Sequence, residues 1–202
     1  MNSRVCVVAL CSVFAGIGLQ AQTLSGPALV KALHQGGYVV LMRHASSPRE
    51  KPDFRSADPG NLNGERQLDD LGKLNAEALG KALKHLKVPI GEVFTSPTYR
   101  AIQTARLANL SSPRPQAELG ENGPNMQAAT EAQAAWLQKK VTEFPSGTNT
   151  ILITHLPNIT KAFPQLAPPP EDGEAIIFGP DGKGGATVVA RIKIDEWPKM
   201  KG

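Results

Sequence analysis

Arg43 and His44 follow the apolar run Tyr38-Val39-Val40-Leu41-Met42, so a guanidinium and an imidazole arrive together at the end of a predicted buried strand. Strand ends are where open α/β sheets place their chemistry. Far downstream, Thr150-Ile151-Leu152-Ile153-Thr154 runs into His155, a second apolar run with a histidine at its end. Together with Arg100, in Thr95-Ser96-Pro97-Thr98-Tyr99-Arg100-Ala101, these side chains would form a cationic pocket suited to one phosphoryl group. Phosphoryl transfer spreads negative charge over three equatorial oxygens, so fixed cations can do most of the work. Arginine suits such a pocket because its planar fork can bind two oxygens at once.

The elements that must hold these residues can be read from spacing. Ser25-Gly26-Pro27 predicts a helix start with Ser25 as N-cap; Leu29, Val30 and Leu33 follow at helical intervals, and Gly36-Gly37 ends the helix. Tyr38 to Met42 predicts a strand covered on both faces. Residues 46 to 66, with Pro48, Pro52, Pro59 and Gly60, predict a long loop beside His44. Leu68, Leu71, Ala78, Leu79, Ala82, Leu83 and Leu86 predict an amphipathic helix. A short strand over 92–95, a helix over 98–110, a loop over 111–127, an alanine-rich helix over 128–144, a strand over 148–154 and a short helix over 158–163 follow. Pro168-Pro169-Pro170 predicts a rigid surface connection. Residues 175–178 and 187–194 flank Pro180-Asp181-Gly182-Lys183-Gly184-Gly185 as a hairpin, and that glycine-rich turn precedes no helix, so it is no phosphate-binding loop. Helices alternating with strands give the expected fold class, a three-layer α/β/α sandwich with a mostly parallel central sheet.

The 202 residues suffice for one domain with a sizeable core. Residues 1–21 carry Arg4, an apolar run from Val5 to Leu19 and Ala21, the pattern of a secretory signal peptide, so the expected mature domain is 22–202, exported to the periplasm or beyond. Cys6 and Cys11 both lie inside that leader, which leaves the mature chain without cysteine or disulfide. No later segment is apolar for long enough to span a membrane. The net charge of +4 is spread along the chain without aromatic-interleaved basic clusters, which argues for small anionic ligands and against nucleic acid.

Arg43-His44-Ala45, the Thr95 to Ala101 segment continuing to Gln103-Thr104-Ala105, and Ile153-Thr154-His155 occur in the order and spacing of the histidine phosphatase superfamily, also called phosphoglycerate mutase-like. The chain resembles that family over most of residues 37 to 163. The resemblance implies a phosphoglycerate mutase-like fold, His44 as a nucleophile that forms phosphohistidine, and Arg43, Arg100 and His155 as ligands of the phosphoryl oxygens. It implies no metal and no cofactor, and a small phosphorylated substrate. An attacking imidazole must be neutral, which neighbouring guanidiniums favour. A zinc site on His44 and His155 is disfavoured by the adjacent Arg43, whose charge repels a divalent ion.

The sequence departs from the family at the proton donor. Leu156 stands where the acid phosphatase branch has an aspartate, whereas the mutase-like branch takes its acid from the loop after the second arginine, which here holds Glu118 and Glu121. Glu121 is the preferred candidate, between Gly120 and the turn residues Gly123 and Pro124, with Glu118 the alternative. Ala45 replaces a common glycine, and Leu156-Pro157-Asn158-Ile159 changes the wall after His155, with Asn158 expected to cap the helix that follows. Arg66 is expected at the surface, and His34 and His85 at helix ends near C-terminal carbonyls. The expected activity is an exported phosphomonoesterase. The alternatives are a catalytically weak phospho-ligand-binding module of the cell envelope and a protein phosphohistidine phosphatase, which export counts against.

Overall fold

A computed structural model describes residues 23–48, 66–121 and 128–201. The expected leader, most of the loop beside His44 and the turn residues Gly123 and Pro124 lie outside these residues. The chain forms α1 (Gly26–Gln35), β1 (Tyr38–Arg43), α2 (Asp70–His85), β2 (Ile90–Thr95), α3 (Tyr99–Leu107), β3 (Arg114–Pro115), α4 (Glu131–Lys140), β4 (Asn149–Thr154), α5 (Leu156–Ala162), β5 (Ala175–Pro180) and β6 (Ala186–Ile192). Short 3-10 turns occupy Ala117–Leu119 and Trp197–Lys199.

The strands make one sheet in the order β3-β2-β4-β1-β5-β6. The four strands from β3 to β1 run parallel, while β5 is antiparallel to both β1 and β6. Alternate side chains divide between two layers, as the strand period of two requires. Val40, Met42, Ile151, Ile153 and Ile177 face the layer of α1, α2 and α3. Val39, Leu41, Leu152, Ile176 and Phe178 face the layer of α4 and α5. Val39 to Met42 in β1 and Ile151 to Ile153 in β4 are buried apolar runs because both faces of these strands are covered, so the three-layer sandwich follows from the composition of the strand centres.

Register places the candidate residues. Arg43 pairs with Thr154, and Thr95 with Ile153, so β1, β2 and β4 end at one edge of the sheet. The ladder extends past the strands: His44 N–H donates to the Thr154 carbonyl at 3.0 Å and Ser96 N–H to the Ile153 carbonyl at 2.8 Å. The backbones of His44 and Ser96 are therefore held like strand residues, although their side chains belong to the site.

Several local expectations need correction. Ser25 occupies the N-cap position of α1 without a side-chain cap bond. α2 is N-capped by Asp69, whose carboxylate accepts from Gly72 N–H at 2.7 Å and from the Ser46 hydroxyl at 2.6 Å. Leu71, assigned to the apolar face, is 60% exposed, because the helix begins turned toward the segment after His44 and not toward the sheet. α4 begins three residues later than expected, at a capping box formed by Thr130 and Gln133. His34 contacts the Leu86 carbonyl at the end of α2 and not a carbonyl of its own helix. The triple proline is more than a spacer: Pro170 is buried, and the Pro168 carbonyl accepts from Arg191 at 2.8 Å. Trp197, beyond any periodic pattern, is buried in the α1–α3 layer against α2.

Candidate active site

Arg100 is the hub. Lying in the first turn of α3 and fully buried, it donates from Nε to His44 Nε2 at 3.2 Å. Its NH2 group contacts Glu121 Oε2 and lies 3.1 Å from His155 Nδ1. The two imidazole rings sit 5.1 Å apart between centroids, inclined at 60°. One guanidinium thus touches both histidines and the candidate acid, which come from three separate stretches of chain.

The hydrogen bonds define the tautomers. His44 Nδ1 lies 2.7 Å from the Ala45 carbonyl oxygen, which can only accept, so Nδ1 carries the hydrogen and Nε2 the lone pair. Burial holds the His44 pKa well below the ordinary imidazole value; Arg100, Arg43 and Arg66 push the same way, and the bond to Ala45 opposes them only in part. Neutral His44 therefore presents an unprotonated Nε2 beside Arg100. His155 is the mirror case: Nε2–H donates to Ser96 Oγ at 2.7 Å, with Thr98 Oγ1 at 3.2 Å, while Nδ1 accepts from Arg100. Its pKa is also well below the usual value, through burial first and then Arg100. Glu121 Oε2 lies 3.6 Å from His155 Nδ1, but against a neutral ring this is no ion pair.

Glu121 is pushed above the ordinary carboxyl range by burial, with Arg100 the largest opposing influence. A carboxyl so placed keeps a proton to higher pH than a solvated one. Glu118 is not brought to the site: its carboxylate accepts from Gln116 at 2.5 Å within the 117–119 turn. Arg43 is partly buried at the edge of the site, ion-paired with Asp172 at 2.6 Å and donating to the Pro170 carbonyl at 3.2 Å. Its charge still depresses the pKa of His44 and His155.

Two placements depart from the sequence reading. Arg66 is half-buried, not at the surface, and its positive charge acts on His44, His155 and Glu121. Asn158 does not cap α5; it lies inside that helix, whose N-cap is His155. Its Nδ2 reaches across to the carbonyl of Gly120 at 2.8 Å. The Gln103-Thr104 pair, part of the motif that carries the resemblance but given no role there, fixes the segments that flank residues 49–65. Thr104 Oγ1 accepts from Ala45 N–H at 3.1 Å, and Gln103 Oε1 from Leu68 N–H at 2.9 Å.

A buried, neutral imidazole with its lone pair among arginines, at the parallel edge of a three-layer α/β sheet, gives a cationic pocket suited to an anionic group. The family comparison agrees. The model of the histidine phosphatase superfamily (branch 1) matches residues 39–147, more than half the chain, and the chain belongs to that superfamily. It is an enzyme of the phosphatase class. No curated protein matches it. Among solved structures, it resembles the protein histidine phosphatase SixA in complex with tungstate, at 24% identity and TM-score 0.55, over 79% of this chain and 98% of that one. It is also similar to YhfR of Bacillus stearothermophilus, at 18% identity and TM-score 0.56, over 75% of this chain and 94% of that one. A third likeness is to a putative alpha-ribazole-5'-P phosphatase of Escherichia coli, at 16% identity and TM-score 0.54, over 76% and 94% of the two chains. At these identities the likenesses establish the fold, a phosphoglycerate mutase-like sandwich.

Proposed function

We propose that the protein is an exported, metal-independent phosphomonoesterase working through a phosphohistidine on His44. The observation that carries this reading is the lone pair of His44, placed on Nε2 by the Nδ1–Ala45 bond and kept unprotonated by burial among arginines. In the first step that lone pair forms a bond to phosphorus while the ester P–O bond breaks, and Glu121 gives its proton to the departing oxygen. In the second, water attacks phosphorus, the Glu121 carboxylate takes the water proton, the P–N bond breaks and inorganic phosphate leaves. Arg100 and Arg43 supply the fixed positive charge for the equatorial oxygens. His155 joins them once substrate is present: a phosphate dianion reverses the balance that now lowers its pKa, and a proton on Nδ1 makes it a donor. Export rests on the leader pattern of residues 1–21, and the absence of a metal requirement on the cations already gathered there.

Intact mass spectrometry of the mature protein, quenched without acid after mixing with an aryl phosphate, tests the covalent step. Wild type is expected to carry one phosphate adduct, and His44→Ala to carry none while losing at least about a thousandfold in turnover. Turnover that survives His44→Ala, or that a chelator abolishes, would overturn the mechanism. Cell fractionation, with the N-terminal mass of the exported form, tests the leader.

A further inference from the structure

We infer that Asn158 and Gln133 are positioning residues for Glu121, acting through the carbonyl of Gly120. The inference rests on the reading of Glu121 as the general acid. Gly120, immediately before Glu121, is buried, and its carbonyl oxygen accepts two side-chain amides: Asn158 Nδ2 at 2.8 Å from α5 and Gln133 Nε2 at 2.8 Å from α4. The preceding carbonyls are held in the same way. Leu119 O accepts from Thr154 Oγ1 at 2.8 Å, Ala117 O from Gln133 Nε2 at 3.3 Å, and Glu118 O from Asn158 Nδ2 at 3.4 Å. A carbonyl with two amide donors has both lone pairs engaged, which removes the freedom of the peptide to rotate about its neighbours.

This clamp is coupled to the rest of the site by chain connectivity. Thr154 and Asn158 flank His155, so the element that carries the second histidine also grips the segment that carries the acid. Glu121 is the first residue past the clamp. Unlike His44 and His155, which directly follow β1 and β4, Glu121 adjoins no helix or strand among the described residues, and a general acid is effective only at hydrogen-bond range of the leaving oxygen. A displacement of one ångström at Glu121 would leave phosphate binding by the arginines intact and weaken protonation of the leaving group. Gly120 itself has little room for change, since a Cβ there would meet the Ala117 carbonyl at 3.0 Å.

The prediction separates leaving groups. Protonation matters for an alkyl phosphate, whose alkoxide is a poor leaving group, and little for p-nitrophenyl phosphate. The measurement is kcat/KM, which reports transfer to His44, for both esters with wild type, Glu121→Gln, Asn158→Ala and Gln133→Glu. Gln133→Glu retains an oxygen to accept from Thr130 N–H in the capping box and exchanges the amide donor for a carboxylate that the Gly120 carbonyl repels, so α4 keeps its cap if Asn158→Ala fails to fold. Glu121→Gln should lose about a hundredfold or more on the alkyl ester and far less on the aryl ester. Asn158→Ala and Gln133→Glu should each lose roughly tenfold on the alkyl ester and about twofold on the aryl ester, with the alkaline limb of the pH profile shifted. If Glu121→Gln discriminates between the esters while both amide variants lose equally on each or not at all, the positioning role is overturned and the acid assignment stands. If Glu121→Gln itself does not discriminate, the acid assignment fails and the positioning role with it.

Discussion

Arg100 joins His44, His155 and Glu121 through one buried guanidinium, so its charge enters the titration of all three. The result is a division of protonation states: neutral imidazoles and a carboxyl that keeps its proton to higher pH than a solvated one, the pairing a nucleophile and a general acid require. The pH dependence of kcat/KM on an alkyl phosphate follows. Activity should persist to well below pH 6.5, because His44 resists protonation, and fall on the alkaline side as Glu121 ionises. Glu121→Gln should remove that alkaline fall, and a profile that still bends in the variant would assign it to another group. At this scale the charged residues were legible because Arg-His and Thr-His stand at strand ends, where an ionisable side chain after an apolar run has few structural uses. Arg66 and Asn158 were not legible. Arg66 follows a polar stretch that resembles solvated surface, and the role of Asn158 depends on a carbonyl 38 residues away in sequence.

The parallel strands set the positions of the catalytic ends, but the helices decide what the intervening segments do. Asp69, at the start of α2, accepts from Ser46 Oγ, and Asp69 N–H donates to the Ser46 carbonyl at 3.1 Å, which ties the residues after His44 to a helix. Gly72 makes the approach possible, since a Cβ there would lie 2.0 Å from the Ser46 carbonyl oxygen. Alanine is favoured over glycine in a helix by about 1 kcal/mol. A forced backbone shift costs about 1–3 kcal/mol and should exceed that gain. Gly72→Ala is therefore expected to lower stability and kcat/KM together. Gly80→Ala makes the comparison informative: its Cβ would meet the Ala108 carbonyl at 2.2 Å, on the side of α2 that packs on α3. It should destabilise by a similar amount with little effect on catalysis, as urea unfolding and steady-state kinetics would show. Element types were legible wherever apolar periodicity was long, as in β1, β4 and α2. The ends were not, because α4 starts at a capping box whose residues, Thr130 and Gln133, contribute nothing to that periodicity.

Burying two neutral histidines affects the molecule as a whole. Each binds a proton less readily folded than unfolded, so the unfolded chain takes up more protons as pH falls below 6.5. Stability should decline on acidification from that value, by at most about 1.4 kcal/mol per pH unit for each histidine, until the folded pKa values are passed. Glu121 acts in the opposite sense: its contribution is fully present below about 4.5 and is lost as pH rises through its raised folded value. Unfolding midpoints measured from pH 8 to 5 should therefore fall, and His44→Asn should reduce the slope; a midpoint independent of pH would contradict the burial of neutral imidazole. The fold class was legible because Val39 to Met42 in β1 and Ile151 to Ile153 in β4 are continuous apolar runs, the composition of strands covered on both faces. The antiparallel addition of β5 and β6 was legible only as a hairpin, since nothing local to those strands says which edge they join. The pairing of Arg43 with Thr154 has a further meaning for the folding chain. Strands alternate faces residue by residue, so a slip of one position between β1 and β4 would turn Val39 and Leu41 to the wrong layer and carry His44 away from His155. Such a molecule could be compact and still be silent. On the mechanism proposed above, a burst titration of phosphohistidine counts correctly paired chains and makes catalysis a quality assay for the sheet.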